Sequence, residues 1–456
     1  MKKLIYTTFA AVLLFTAASC SDSDLDPTLA QSKDLESNVK SAEDLKGILY
    51  GALNRISSST YYGRDYIIIN EVRSDNAYSN GNSNRFINEA RMDILPTQSN
   101  GVWSQLYSVI GSANIIINAA DITGDAAEIN HYKGQALAIR ALAHFDLVKL
   151  YGQQHVTGGS DLGVPYVTTF RDPDNYFPTR KTATEVKTLA IADLDQALTL
   201  MSPALNDATK QTITTHAANA IKAKIALYFG DMTTAKDAAW AVINSQAFTI
   251  PDAADFAATW STDSAANSIF EIAASPTDNS GINGLANIYR GSTYGDISIL
   301  QNLKDIYDAN DVRGSAAFIG SDALGIKNVG KYPTMGTFDD NISVLRYEEM
   351  VLIYAEAILA TDPVGSLTYL NMIPAKRNAT TYLVSSLDNI LLERRKEFAF
   401  EGMRFHDLAR TGKDIPLVDP FNQTHGGATY GDFRYAYPIP NAEADVNSNV
   451  VQNKGY

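Results

Sequence analysis

Along much of this chain apolar residues return every three or four positions, the spacing that gives an α-helix one face to bury. In 41–57 the stripe is Leu45, Ile48, Leu49, Ala52, Leu53 and Ile56, and Ser41 can cap its start with Asp44 three residues on. The same periodicity predicts helices over 102–120, 127–151 and 183–201, the last through Val186, Ala190, Leu194 and Leu198. A helix over 213–229 should stop at Gly230, and a second over 232–246 should start from an Asp231 cap. Further helices are predicted over 346–361, 365–378 and 388–401, which makes the fold mostly α.

Several of these helices read as tetratricopeptide-like pairs. Ala220, Ala223, Ala226, Leu227 and Tyr228 precede the Gly230-Asp231 turn, and Ala235 and Ala239 follow it. Small residues let two helices approach closely, and an aromatic fills the space left between them. The pairs do not recur at a fixed period. An insertion with Pro165, Pro173 and Pro178 separates two of them, and 250–345 is largely non-helical with strand-like runs such as Ile269–Ile272. The expected domain is 41–456, with a helical scaffold over 41–60, 102–151, 183–246 and 346–413. Loop-rich segments over 61–101 and 250–345 are where such a scaffold would display a binding surface.

The first twenty residues have their own pattern. Lys2 and Lys3 precede an apolar or small stretch from Leu4 to Ala18, too short to span a bilayer, and Ala17-Ala18-Ser19 lead into Cys20. Cys20 is the single cysteine of the chain. The arrangement resembles a bacterial lipobox, so 1–19 is expected to be a lipoprotein signal peptide and Cys20 the acylated residue. The acidic run Ser21–Asp26 opens a tether over 20–40 and resembles the signal that sends some lipoproteins to the outer leaflet. With 51 acidic against 37 basic residues and a net charge of −14, the chain has no electrostatic footprint for nucleic acid or anionic lipid headgroups. With Cys20 acylated no thiol remains for a disulfide or a metal, and the lipid is the expected membrane attachment.

Four segments carry a resemblance to a known family. They are Arg140–Gly152, with Phe145-Asp146-Leu147 and Leu150-Tyr151-Gly152; Trp103 with Leu106, Tyr107, Ile110, Ala113 and Asn114; Glu393–Lys413; and Tyr437-Pro438-Ile439-Pro440 with Asn447, Asn449, Gln452, Asn453, Gly455 and Tyr456. In this order, and with the lipobox, the chain resembles the SusD/RagB family of outer-membrane nutrient-binding lipoproteins. The resemblance implies four tetratricopeptide-like helix pairs with a variable ligand-binding region, exposed at the cell surface. It also implies a partner, a SusC-like TonB-dependent outer-membrane transporter. The ligand it implies is first a glycan, and alternatively an oligopeptide as in RagB-type members.

Candidate chemistry is sparse. Glu397 and Glu401 stand i, i+4 on one helix, a spacing that would suit acid–base cleavage of a glycosidic bond. Arg394, Arg395, Arg404 and Arg410 lie within one or two turns and Phe398, Phe400 and Phe405 interleave, so the pair reads as structural. His144 near Asp146 and His406 beside Asp407 have no Gly-x-Ser-x-Gly elbow or thiol beside them, and read as packing residues. Neither a His-Glu-x-x-His pattern nor a phosphate-binding glycine loop is present, so no metal or cofactor is expected and the chain reads as a binder, not an enzyme. A sugar presents C–H faces to aromatic rings and hydroxyls to Asn, Asp and Arg. Two loop segments offer that mixture. The first holds Arg73, Asp75, Asn76, Tyr78, Asn80, Asn82, Asn84, Arg85 and Arg91; the second holds Asp278, Asn279, Asn283, Asn287, Tyr289, Arg290, Tyr294 and Asp296. Tyr78, Tyr289 and Tyr294 are the expected exposed rings, while Trp103 and Trp240 read as packing residues and Trp260 stays ambiguous.

Overall fold

The structure, a computed structural model, describes residues 39–456 apart from Ser292; the expected signal peptide over 1–19, Cys20 and the acidic run behind it lie outside the described residues. All nine helices expected from periodicity are present. They are α1 (Ala42–Ile56), α2 (Asn100–Asn118), α3 (Ala126–Tyr151), α4 (Ala183–Leu200), α5 (Thr215–Tyr228), α6 (Met232–Ile243), α7 (Tyr347–Ile358), α8 (Pro363–Ala375) and α9 (Leu387–Glu397). Each packs on the next from α1 to α9, so the scaffold is a stack in sequence order. The caps are where the sequence places them. The Ser41 hydroxyl accepts from the Asp44 amide at 3.2 Å and the Asp44 carboxylate accepts from the Ser41 amide at 3.0 Å. Gly230 ends α5 with φ +73°, and the Asp231 carboxylate caps α6 through the Thr234 amide at 3.2 Å. On the packed helices α5 and α6, Ala220, Ala223, Ala235 and Ala239 are wholly buried, and Tyr228 sits edge-on to Phe145 at 5.3 Å.

Helix α3 is the axis of the stack. From Gly134 to Tyr151 every residue is buried, so this helix has no single apolar stripe and its polar residues must find partners inside. Arg140 makes a two-pronged contact with Asp193 at 2.7 and 2.8 Å and donates to Asn114 Oδ1 at 2.9 Å. His144 Nε2 accepts from the Val167 amide at 3.0 Å, so its proton is on Nδ1, which donates to the Arg140 carbonyl at 2.9 Å. Burial holds this imidazole down at about 3, hence neutral. The Asp146 carboxylate collects the hydroxyls of Tyr61 (2.5 Å), Tyr62 (2.9 Å) and Tyr66 (2.8 Å), with Lys149 at 2.8 Å.

Those tyrosines correct one expectation. Segment 61–101 is not uniformly a surface loop, because Asp65–Val72 forms a helix whose residues from Tyr66 onward are all buried. Its Ile67-Ile68-Ile69 run has no amphipathic period, which hid it from a periodicity reading. Among the described residues six short strands pair antiparallel, two by two. β1 (Ala77–Ser79) pairs with β3 (Ile297–Ile299), β2 (Ser268–Ile272) with β6 (Ile342–Arg346), and β4 (Ile319–Asp322) with β5 (Gly325–Asn328). Trp103 is buried as expected and Trp260 is buried too, whereas Trp240 on α6 is 40% exposed and leans on Tyr354 at 5.3 Å.

The segment 437–456 returns to the middle of the stack. The Tyr437 amide donates to the Leu150 carbonyl at 2.8 Å. Asn453 donates to the Tyr151 and Tyr437 carbonyls at 2.7 and 2.6 Å, and Arg180 donates to the Val451 carbonyl and Asn453 Oδ1 at 2.7 and 2.8 Å. Among the described residues no helix is long and apolar enough to cross a membrane.

Candidate functional site

The pairing of β1 with β3 sets Tyr78 opposite Ser298 and draws the two polar loop segments together. The contact continues beyond the strands. Asn80 donates to the Gly295 carbonyl and Ser298 Oγ at 2.9 and 2.8 Å, and Asn82 donates to the Tyr294 carbonyl at 2.6 Å. The Arg85 guanidinium lies 3.5 Å over the Tyr294 ring and reaches Asn283 Oδ1 at 3.4 Å. Asn82, Asn84 and Asn283 are exposed, and Arg85 and Tyr294 are half-buried, so these side chains form one accessible edge.

Other sequence candidates turn inward. Arg73 is wholly buried, its guanidinium between the Phe405 and Tyr437 rings at 3.9 and 4.7 Å, donating to the carbonyls of Arg434 and Tyr435. Asp75 is buried in ion pairs with Arg404 (2.7 Å) and Arg395 (3.1 Å); burial alone would raise its carboxyl, but the two guanidiniums hold it below the usual range. Asn76 bridges Glu71 and Arg395 at 3.2 and 2.8 Å. Asp296 is buried and accepts from the Ser83 amide and hydroxyl, tying down the neighbouring turn. Tyr289 is wholly buried against Phe400 and Tyr332, and Asn287 is buried with its amide on the Ile282 carbonyl. Arg290 donates to the carbonyls of Asn328, Lys331 and Tyr332. Tyr78 is half-buried in its strand. Arg73, Asp75, Asn76, Asn287, Tyr289 and Asp296 are buried and are therefore corrected from exposed ligand contacts to loop supports, while Tyr78 and Arg290 stay half-buried. Irregular backbone near a core needs side-chain partners for its amides and carbonyls, and the same Asn, Asp and Arg composition serves that need.

A groove of about 400 Å³ opens beside this edge. The end of α1 supplies Asn54 and Arg55, α2 supplies Gln105, and the chain after β2 supplies Ile272–Ala274, Asp278–Gly281 and Gly284–Ala286. Tyr332, Phe338, Asp340 and Ile342 close it on the approach to β6. Its floor is apolar, with Ile272, Leu285 and Tyr332 buried, while Asn54, Arg55, Asp278 and Asn279 are exposed at the rim. Asn279 fastens two walls together: its amide donates to the carbonyls of Ser275 (2.5 Å) and Thr337 (3.0 Å), and its oxygen accepts from the Gly281 amide at 2.7 Å. Asp340 accepts from the Thr334 amide and hydroxyl, both at 2.6 Å, and burial raises its carboxyl. Asn283, which Arg85 reaches, lies in sequence between the lining residues Gly281 and Gly284, so the Arg85–Tyr294 edge adjoins the groove. Of the sequence candidates, Asp278 and Asn279 line the groove. Asn54, Arg55, Gln105, Phe338 and Asp340 were not foreseen, because they sit on helix ends or in a loop of ordinary composition. The one signal was an isolated aromatic, Phe338, between Thr337 and two aspartates.

Glu397 and Glu401 lie away from the groove and hold a buried ion-pair network. Glu397 meets Arg346 at 2.9 Å and Arg313 and Arg377 at 3.1 Å; Glu401 meets Lys331 at 2.5 Å and Arg346 at 2.8 Å. Burial alone would raise both carboxyls, but the surrounding cations hold both below the usual range. Carboxylates so held cannot supply the protonated acid that glycoside cleavage needs. His406 is buried near Tyr66 and Tyr228, and burial, with Lys149 and Arg73 nearby, pushes it well below its ordinary value. Among the described residues no group of three or more His, Cys, Asp or Glu is placed to hold a metal ion.

Two family profiles match the chain. One, described as starch-binding associating with outer membrane, covers residues 25–227, and the SusD family profile covers 320–456. SusD-like protein P2 of Formosa agariphila is 26% identical in an alignment covering 100% of both chains. The starch-binding protein SusD of Bacteroides thetaiotaomicron is 30% identical over 28% of this chain and 24% of its own. Among solved structures, a SusD superfamily protein from Bacteroides vulgatus superposes with a TM-score of 0.83 at 27% identity, covering 91% of this chain and 99% of its own. A helical stack in the expected order, matched along its length by relatives of one kind, places this chain in the SusD/RagB family.

Proposed function

We propose that this chain is a lipid-anchored protein of the outer membrane, exposed at the cell surface, that captures a glycan in the 400 Å³ groove and passes it to a SusC-like TonB-dependent transporter. The observation that carries the reading is the groove itself, an apolar floor beneath an Asn, Asp and Arg rim with Phe338 and Tyr294 beside it. That is the surface chemistry of a neutral sugar, whose C–H faces stack on rings and whose hydroxyls exchange hydrogen bonds with amides and carboxylates. The name of the starch-binding relative points the same way. The ion pairs on Glu397 and Glu401 support binding without cleavage.

Calorimetry against starch, laminarin and a mixed peptide digest, at low and high salt, tests the ligand class. Phe338→Ala and Tyr294→Ala are each expected to weaken glycan binding by roughly 1–3 kcal/mol with little change in thermal midpoint, as for half-buried hot-spot rings. Binding to a neutral glycan should hardly respond to salt. Salt-sensitive binding of the peptides with none of the glycans, or variants that bind like wild type, would overturn the reading.

The anchor is tested separately. Cys20→Ala should move the protein from the membrane fraction to the soluble fraction and abolish labelling by a fatty-acid analogue. Unchanged membrane attachment without labelling would exclude acylation of Cys20.

A further inference from the structure

A second cavity of about 400 Å³ lies between α1, α3 and the 205–212 turn, and shares no lining residue with the groove. Its wall on α3 carries two buried polar atoms without partners. His131 is 2% exposed, and its Nδ1 accepts from the Ser202 amide at 3.2 Å. The ring proton is therefore on Nε2, which has no partner among the described residues. Gln135, 3% exposed and one helical turn on, likewise leaves its Oε1 without a partner. Buried polar groups are rarely left unmade, because each loses its hydration without replacement.

The two atoms are complementary, one donor and one acceptor on one helix face. A group that accepts from one and donates to the other is a hydroxyl, or two neighbouring hydroxyls on a ring. Aromatic surface is at hand: Tyr50 is 52% exposed and, with Tyr132, lines the same cavity. The charged lining residues are Lys46, Glu128 and Asp207, and the Asp207 carboxylate is already bonded to Thr209. No cationic cluster is present to select a phosphate or a carboxylate. Burial lowers His131 from its ordinary value, so its ring stays neutral and keeps this donor pattern at neutral pH.

We propose that this cavity is a second carbohydrate site, taking a neutral mono- or disaccharide through His131 Nε2–H and Gln135 Oε1 with a sugar face on Tyr50. Its size falls within the range of small-ligand pockets. The proposal rests on these residues and not on the groove, and the two can fail separately. The test is side-chain nitrogen NMR on histidine-labelled full chain, titrated with cellobiose, maltose and lactose up to about 50 mM, the weak-binding range for small ligands. The His131 Nε2 signal is expected to move and saturate with at least one disaccharide. Tyr50→Ala and Gln135→Leu should each weaken that binding about tenfold or more, while Phe338→Ala leaves it unchanged. Tyr50 is exposed, so its loss leaves the core intact even where Gln135→Leu disturbs packing. A signal that does not move with any of the three sugars, or a shift that persists undiminished in Tyr50→Ala, would overturn the proposal. So would a crystal soaked in the same sugars that shows only water on His131 and Gln135.

Discussion

Replacing Glu397 by Gln is expected to lower the unfolding free energy by about 3–5 kcal/mol, the cost of leaving buried cations without their counter-charge. Glu397 is wholly buried and touches Arg313, Arg346 and Arg377 at 3.1 Å or less. The shape of the side chain survives the substitution, so the loss reports charge and not a cavity. The difference from wild type also has a defined pH window. The folded carboxyl titrates below its ordinary value of 4.5, so its contribution is complete above that pH and is lost as pH falls through the folded value. Denaturant unfolding of both proteins at neutral pH and in acid measures this. A neutral-pH loss below about 1 kcal/mol, the worth of an exposed pair, would show that the network contributes no more than surface charges do.

Trp103→Ala should cost about 3–5 kcal/mol by leaving a cavity. The ring is buried on α2, tilted against Tyr107 at 4.9 Å and edge-on to Tyr151 at 4.9 Å. Tyr151 closes α3 and donates to the Ser99 carbonyl at 2.6 Å, so the vacated space lies where α2, α3 and the 437–456 segment meet. A lower midpoint with an unchanged denaturant slope is the expected signature. Glycan affinity at low temperature should be retained, because Trp103 lines neither cavity. A loss of affinity without a loss of stability would move Trp103 from the core to the site.

Helix content was legible because the signal is local. Leu45, Leu49, Ala52 and Ile56 announce α1 by spacing alone, and Ser41 and Gly230 mark ends whose geometry depends on neighbours a few residues away. The helix Asp65–Val72 was not legible, because a segment buried on all sides has no stripe, and its Tyr66, with Tyr61 and Tyr62 just before it, serves an aspartate eighty or more residues away. The binding surface was legible only in part. The two Asn-rich segments do meet across β1 and β3, yet composition could not separate Arg85, which stays at the accessible edge, from Arg73, which is sealed between two rings. Groove residues such as Asn54 and Phe338 are chosen by tertiary proximity, which leaves no trace in spacing.

The bonds from Asn453 to Tyr151 and Tyr437, and from Arg180 to Val451, also set an order of events. Two of them, Asn453 to Tyr151 and Arg180 to Val451, join positions 302 and 271 residues apart, so the end of α3 lacks part of its partners until residues 451–453 have docked. Contacts of such long range slow the final step of folding, because the intervening loop must close before they form. A chain built this way stays open, and open to proteolysis, until that segment has docked. It becomes resistant at once when the last segment arrives. Chains stopped before Val451 should thus remain protease-sensitive even with all nine helices present in the sequence.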